Sequence, residues 1–268
     1  MKVDLLRLVS KKDGLNAKMN MMREYLQAYI LRIMYDNGVF RSTAFLGGTA
    51  LRFLYDLPRF SEDMDFSIVE KGGKHDFPAI VKKIKDEFAS MDYNIFVSSN
   101  DKNTVRYAFF KFEGLMYEAG ISSLKTQKFS VKIEIDANPP EGAVSKSIVV
   151  NKYFPIGFLS YDIPSLFSCK LHAILCRKYT KGRDLFDLGW YLSKWKGLSP
   201  NLTLLKNALT QTGWKDGFPD ENNWRDYVYE AVKKVQWEKV RSDIRNFLEN
   251  PSDLEVFSQK NVLNLIKA

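Results

Sequence analysis

The sequence predicts an α+β protein in which strands dominate residues 1–155 and helices dominate residues 156–268. Three observations carry that prediction. Short segments at 42–46, 63–69, 93–98, 104–112 and 130–137 read as strands, with apolar and polar residues alternating along 63–69 and 130–137. Apolar residues recur at helical spacing over 163–179, 184–195, 202–211, 224–235 and 240–248. Between the two textures lies a strong loop, Asn138-Pro139-Pro140-Glu141-Gly142.

In chain order, Met19, Met22, Leu26, Ile30 and Ile33 share one face of a helix over 17–35, which Asn37-Gly38 closes. Strand 42–46 runs at once into Gly47-Gly48-Thr49 and a helix over 50–56, which Pro58 breaks. Strand 63–69 ends at Lys71-Gly72-Gly73-Lys74, and 77–90 is an amphipathic helix. Further on, Pro164 suits the first turn of helix 163–179. Thr180-Lys181-Gly182 interrupts the pattern before helix 184–195.

With 268 residues, 45% hydrophobic and 27% charged, the chain can bury a sizeable core and is no disordered polymer. Its net charge of +8 makes an anionic partner plausible. The excess is concentrated: residues 71–200 hold 20 basic against 13 acidic side chains, whereas 201–268 hold 10 of each. Cys169 and Cys176 lie on one face of a helix, too few and too poorly placed for a disulfide framework, so free buried thiols are expected. No charged-then-apolar leader and no membrane-spanning apolar run is found, so a cytoplasmic protein without a membrane partner is expected.

The most informative stretch is 45–66. A strand ends, two glycines permit a tight turn, and a helix begins with its amides unpaired, a natural cradle for phosphate to which Thr49 adds a hydroxyl. Asp63 and Asp65 lie two apart on the next strand, so both carboxylates project from one face while Met64 and Phe66 point into the core. Two parallel carboxylates repel unless a cation sits between them, and a hard oxygen-seeking ion such as magnesium fits. Each half alone is commonplace, a turn with a cap or a solvated strand edge. The ordered combination is far rarer.

This stretch resembles the signature of the nucleotidyltransferase superfamily, and Arg59-Phe60-Ser61-Glu62-Asp63-Met64-Asp65 is similar in form to the AbiEii/AbiGii toxins of bacterial toxin–antitoxin and phage-defence systems. A second block, Lys170 to Arg177 followed by Gly182-Arg183-Asp184-Leu185-Phe186-Asp187-Leu188, is similar to the same family's lysine and Arg-Asp-x-x-Asp motif. The resemblance implies a nucleotidyltransferase-type mixed sheet with flanking helices as a catalytic domain over 1–155. It also implies a helical domain over 156–268 that contributes Lys170 and Asp184 to the active site. It assigns Asp63, Asp65, Lys170, Asp184 and Glu134 to catalysis and Asp63 and Asp65 to Mg²⁺ (or Mn²⁺). Gly47, Gly48, Thr49, Arg59, Ser61, Lys170 and Arg183 are assigned to the nucleotide. An NTP donor, a tRNA 3′ end as acceptor and a cognate antitoxin follow as expectations. A non-catalytic RNA- or protein-binding module on the same fold, or an antibiotic-modifying transferase, are the alternatives.

Residue chemistry bears on the second block independently. Lys170 has Leu166, Phe167, Ala173 and Ile174 as helical neighbours, so it needs an anionic partner or a route to water. Asp184, with Asp187 one turn later, either complements its helix start or joins the lysine in the site. On 130–137, Lys132, Glu134 and Asp136 share one face, and Glu134 or Asp136 is a candidate third carboxylate, with Glu134 favoured as the deeper. His75 and His172 have no zinc-type partners, and Trp190 and Trp195 are expected in the core. Lys125, Lys128, Lys132, Lys146, Lys152, Lys178 and Lys181 form either a solvated surface or a track for RNA.

Overall fold

The computed structural model describes residues 1–69 and 76–268, and the expected glycine-lysine loop over 71–74 and His75 lie outside them. In order, the elements are α1 (Lys2–Ser10), α2 (Leu15–Asp36), β1 (Thr43–Leu46), α3 (Gly47–Tyr55), β2 (Asp63–Ile68), α4 (Phe77–Ser90), β3 (Asn94–Asn100), β4 (Val105–Glu113) and α5 (Leu115–Glu118). There follow β5 (Lys128–Asp136), β6 (Ser145–Asn151), β7 (Pro155–Tyr161), α6 (Ile163–Cys176), α7 (Gly182–Lys194), α8 (Leu202–Gln211), α9 (Trp224–Lys233), α10 (Trp237–Arg245), α11 (Asp253–Val256) and α12 (Gln259–Lys267). The chain groups into two compact units: residues 1–56, 60–138 and 147–160, and residues 57–59, 139–146 and 161–268.

The first unit is built on a seven-stranded mixed sheet in the order β3-β4-β5-β2-β1-β7-β6. β2 sits in its middle, antiparallel to β1 and parallel to β5. Alternation along β4 and β5 sends Ala108, Phe110, Phe112, Val131 and Ile133 to one face, where α2 and α4 cover them. Phe88 of α4 meets Phe112 edge to face at 5.0 Å, and each such buried ring contributes roughly 1.5–3 kcal/mol. α4 spans the expected range, and at its start the Asp76 carboxylate caps the Ala79 amide while Pro78 occupies the first turn. A buried ion pair, Arg52 with Glu24, ties α3 to α2, and the Tyr153 hydroxyl donates to the other Glu24 oxygen at 2.7 Å.

In the second unit α6, α7 and α9 meet at Phe167, with the Tyr191 and Trp224 rings 5.0 and 5.7 Å from it. The Gly182 amide donates to Asp243 at 2.7 Å, and a Cβ there would lie 2.2 Å from the Val240 carbonyl, so only glycine lets α7 start against α10. Leu57–Arg59 joins this unit through a β-bridge from Arg59 to Leu248 and the Glu249 amide on the Pro58 carbonyl.

Several expectations are corrected. The helical texture expected beyond Pro155 begins one strand later, because β7 pairs in parallel with β1 through Phe45 and Ser160. β6, α1, α5, α11 and α12 went unread. The helix expected from Ala50 begins at Gly47. The thiols of Cys169 and Cys176 are free but half-buried rather than buried, and Trp190 and Trp195 are half-buried, stacked edge to face at 5.0 Å.

Candidate active site

The centre of the first unit's sheet brings the two predicted features together. Leu46, the last residue of β1, pairs with Asp65, and the chain then turns through Gly47 at φ +72° into α3. A Cβ at Gly47 would stand 2.1 Å from the Asp65 carboxylate oxygen, so this glycine is required by backbone conformation and by the acid beside it. Thr49 is buried and its hydroxyl donates to the Asp63 carbonyl. The start of α3 is thus pinned to both acidic positions of β2. No side chain caps that helix start, so the first-turn amides of Gly48 and Thr49 keep the anion-attracting character of a helix N-terminus. The loop before β2 is held from below by Gln27, buried in α2, whose amide donates to the Ser61 and Glu62 carbonyls at 3.1 and 2.8 Å. Gln27 was not singled out in the sequence, although a polar side chain within an apolar stripe was the available signal.

Asp63 and Asp65 are both half-buried on one face of β2. Register places Lys132 beside Asp63 and Glu134 beside Asp65, with Asp136 one step further along, beside Ser67. Of the two candidate third carboxylates, Glu134 is the one level with the pair. Its carboxylate accepts from the Lys132 ammonium at 2.8 Å. Burial works against charge on Lys132, but the Glu134 bond and the charges of Glu134, Asp63 and Asp65 outweigh it and raise its pKa. Burial pushes the Asp136 carboxyl up. Among the described residues no group of three or more His, Cys, Asp or Glu side chains forms a ready metal cage. The donor set still fits magnesium, which takes one or two carboxylates and completes its shell with water and phosphate rather than protein.

The second motif block forms a cluster within the second unit. The Lys170 ammonium lies 2.8 Å from both Asp184 and Asp187. Arg59, buried to 2% exposure, clasps the fully buried Asp187 with Nε and Nη2, each at 2.6 Å. Arg177 pairs with Asp184. Burial alone would lower the Lys170 pKa and raise that of Asp184, but their mutual attraction reverses both: Lys170 is held above and Asp184 below its ordinary value. Asp187, which the motif made secondary, is the carboxylate on which Arg59 and Lys170 converge. Arg183 stacks on the Phe247 ring at 4.4 Å. His172 lies 3.1 Å from the Thr212 hydroxyl.

A mixed sheet carrying a glycine turn, an uncapped helix start and an Asp-x-Asp strand at its centre defines a nucleotidyltransferase-type protein. The chain belongs to the family of AbiEii nucleotidyl transferase toxins of type IV toxin–antitoxin systems, whose model matches residues 29–259. Its fold is similar to the crystal structure of JHP933 from Helicobacter pylori, with a TM-score of 0.51 and 18% identity over 92% of this chain and 88% of that one. It is equally similar to a candidate nucleotidyltransferase from H. pylori, with a TM-score of 0.51 and 18% identity over 91% and 89% of the two chains. No curated protein sequence matches the chain significantly. Among the described residues, no helix is long and apolar enough to cross a membrane.

Proposed function

We propose that this toxin transfers a nucleotide from an NTP to the 3′-hydroxyl of a tRNA in the cytoplasm, arresting growth, in phage defence, until a cognate antitoxin counteracts it. The observation that carries this reading is the contact of Gly47 with Asp65 and of Thr49 with Asp63, which sets an anion-attracting helix start against two carboxylates. In the reaction, the acceptor oxygen forms a bond to the α-phosphorus, the bond from that phosphorus to the bridging oxygen breaks, and pyrophosphate leaves with the electron pair. The hydroxyl proton passes to a carboxylate of the site or to water. Asp63 and Asp65 would hold Mg²⁺, which supplies charge neutralisation on the phosphates and a more acidic acceptor hydroxyl. Because the Thr49 hydroxyl is committed to Asp63, phosphate recognition falls to the backbone amides of Gly48 and Thr49.

The family motif adds Lys170 and Asp184 as groups acting on the nucleotide. Since both also belong to the second unit's ion-pair cluster, Lys170→Met must be judged on transfer and on stability together. Incubating the protein with labelled NTPs, Mg²⁺ and total tRNA tests the proposal. Asp63→Asn and Asp65→Asn should abolish label incorporation while the melting temperature holds or rises, because a like-charge repulsion is relieved. Undiminished incorporation in both variants refutes the assignment.

A further inference from the structure

The sheet face that carries Asp63 and Asp65 continues outward across β5, β4 and β3. Register fixes what lies on it. Glu134 stands level with Tyr107, Lys132 with Phe109 and Ser98, and Ser130 with Lys111 and Phe96. Neighbouring strands lie about 4.8 Å apart, so the rings lead away from the acidic pair over roughly 15 Å across β5, β4 and β3. Tyr107 and Phe109 meet edge to face at 5.8 Å, and neither belongs to the core on the sheet's other side. Phe96 is 43% exposed. Lysine ammoniums lie over these rings: Lys132 5.4 Å from Phe109, Lys111 5.9 Å from Phe109, and Lys128 4.1 Å from Phe96. Lys132 and Lys128 also pair with Glu134 and Glu113, whereas Lys111 has no carboxylate partner among the described residues.

Tyr107 and Phe109 are half-buried and Phe96 is exposed, and a sheet leaves rings partly in water only at a cost, because the same positions could carry polar residues. Rings interleaved with cations match one chemistry closely, that of unpaired nucleobases stacked on rings with phosphates between ammonium groups. The face is also continuous with the carboxylates at which the acceptor hydroxyl would react. We infer that the Tyr107–Phe109–Phe96 face, with Lys111, Lys128 and Lys132, is a platform for the single-stranded 3′ end of an RNA acceptor. This rests on the transferase reading above and names the surface that presents its acceptor. It also narrows the sequence-stretch of basic residues: Lys128 and Lys132 lie on the platform, whereas Lys125 sits over Tyr117 and Lys152 donates to the Arg52 carbonyl.

The test is fluorescence anisotropy of a labelled ten-nucleotide single-stranded RNA with a free 3′-hydroxyl, titrated with the full-length protein at low salt. Phe96→Ala and Lys111→Gln change exposed or half-buried groups, and Phe109→Leu keeps apolar bulk while removing the ring. Base stacking is worth roughly five- to hundredfold per ring, so each aromatic variant should weaken binding by at least about fivefold and Phe96→Ala/Lys111→Gln by more. Phe218→Ala removes another exposed ring under a lysine, Lys206 at 5.6 Å, and should change nothing. Melting temperatures confirm folding. The inference is overturned if the wild type fails to bind the oligonucleotide, if the platform variants bind like the wild type, or if blunt duplex RNA loses affinity equally. Transfer to tRNA with an unchanged KM in the variants overturns it while sparing the transferase reading. Ring-dependent binding without any nucleotide transfer does the reverse.

Discussion

Replacing Asp187 by Asn should unfold the second unit at far lower denaturant. The carboxylate is fully buried, receives two bonds from Arg59 at 2.6 Å, and lies 2.8 Å from Lys170, itself 11% exposed. Asparagine preserves the volume but removes the charge and turns an amide donor toward guanidinium donors. Two cations then remain in a low-dielectric interior, with Asp184 as the remaining carboxylate of the cluster for Lys170. Breaking a buried pair in this way costs about 3–5 kcal/mol, a large share of the roughly 5–15 kcal/mol that holds a domain folded. For a protein of this size the melting temperature should fall by about 6–20 °C. Urea unfolding followed by circular dichroism and by tryptophan fluorescence measures the loss. All five tryptophans (Trp190, Trp195, Trp214, Trp224 and Trp237) lie in the second unit, so fluorescence isolates it. The double variant Arg59→Met/Asp187→Leu removes both members of the pair and should recover much of the loss. A cost below about 1 kcal/mol for Asp187→Asn, or a double variant as unstable as the sum of its parts, would refute this account.

Two more outcomes are expected. Gly47→Ala places a methyl into the Asp65 carboxylate at a positive φ, so transfer should fall at least a hundredfold in a labelled-NTP assay while the far-ultraviolet spectrum stays native. Burial, with help from Arg177, holds the His172 pKa below its ordinary 6.5, the Ala208 carbonyl acting weakly the other way. The unfolded chain therefore takes up a proton first, and stability should decline as pH falls from about 6.5 toward the folded-state value, by at most about 1.4 kcal/mol per pH unit. His172→Gln should remove that slope in urea titrations run between pH 5 and 7.

Local signals carried much of this architecture. α4 and α8 could be read to the residue from their apolar stripes, and the structure shows Asp76 and Asn201 capping their starts. The strand character and facing of Asp63 and Asp65 followed from period two alone. What escaped was what is non-local. β7 has Pro155 and Gly157 among its residues, which mask strand propensity, and its partner lies 115 residues away, Ser160 against Phe45. The union of Arg59 with Asp187 spans 128 residues, so nothing local announces that the arginine the motif assigns to the nucleotide is buried in an ion pair. Lys132 shared a strand face with Glu134 by period two, but only register set it beside Asp63.

The contact between positions 47 and 65 also makes the two residues a single unit of inheritance. A side chain at 47 has no room while an aspartate stands at 65, and an aspartate at 65 is of little use once the turn before α3 has shifted to admit one. Drift at either position should therefore release the other. Among chains that share this fold, loss of the first glycine of the Gly-Gly pair would mark, from sequence alone, a descendant whose acidic pair is no longer under selection.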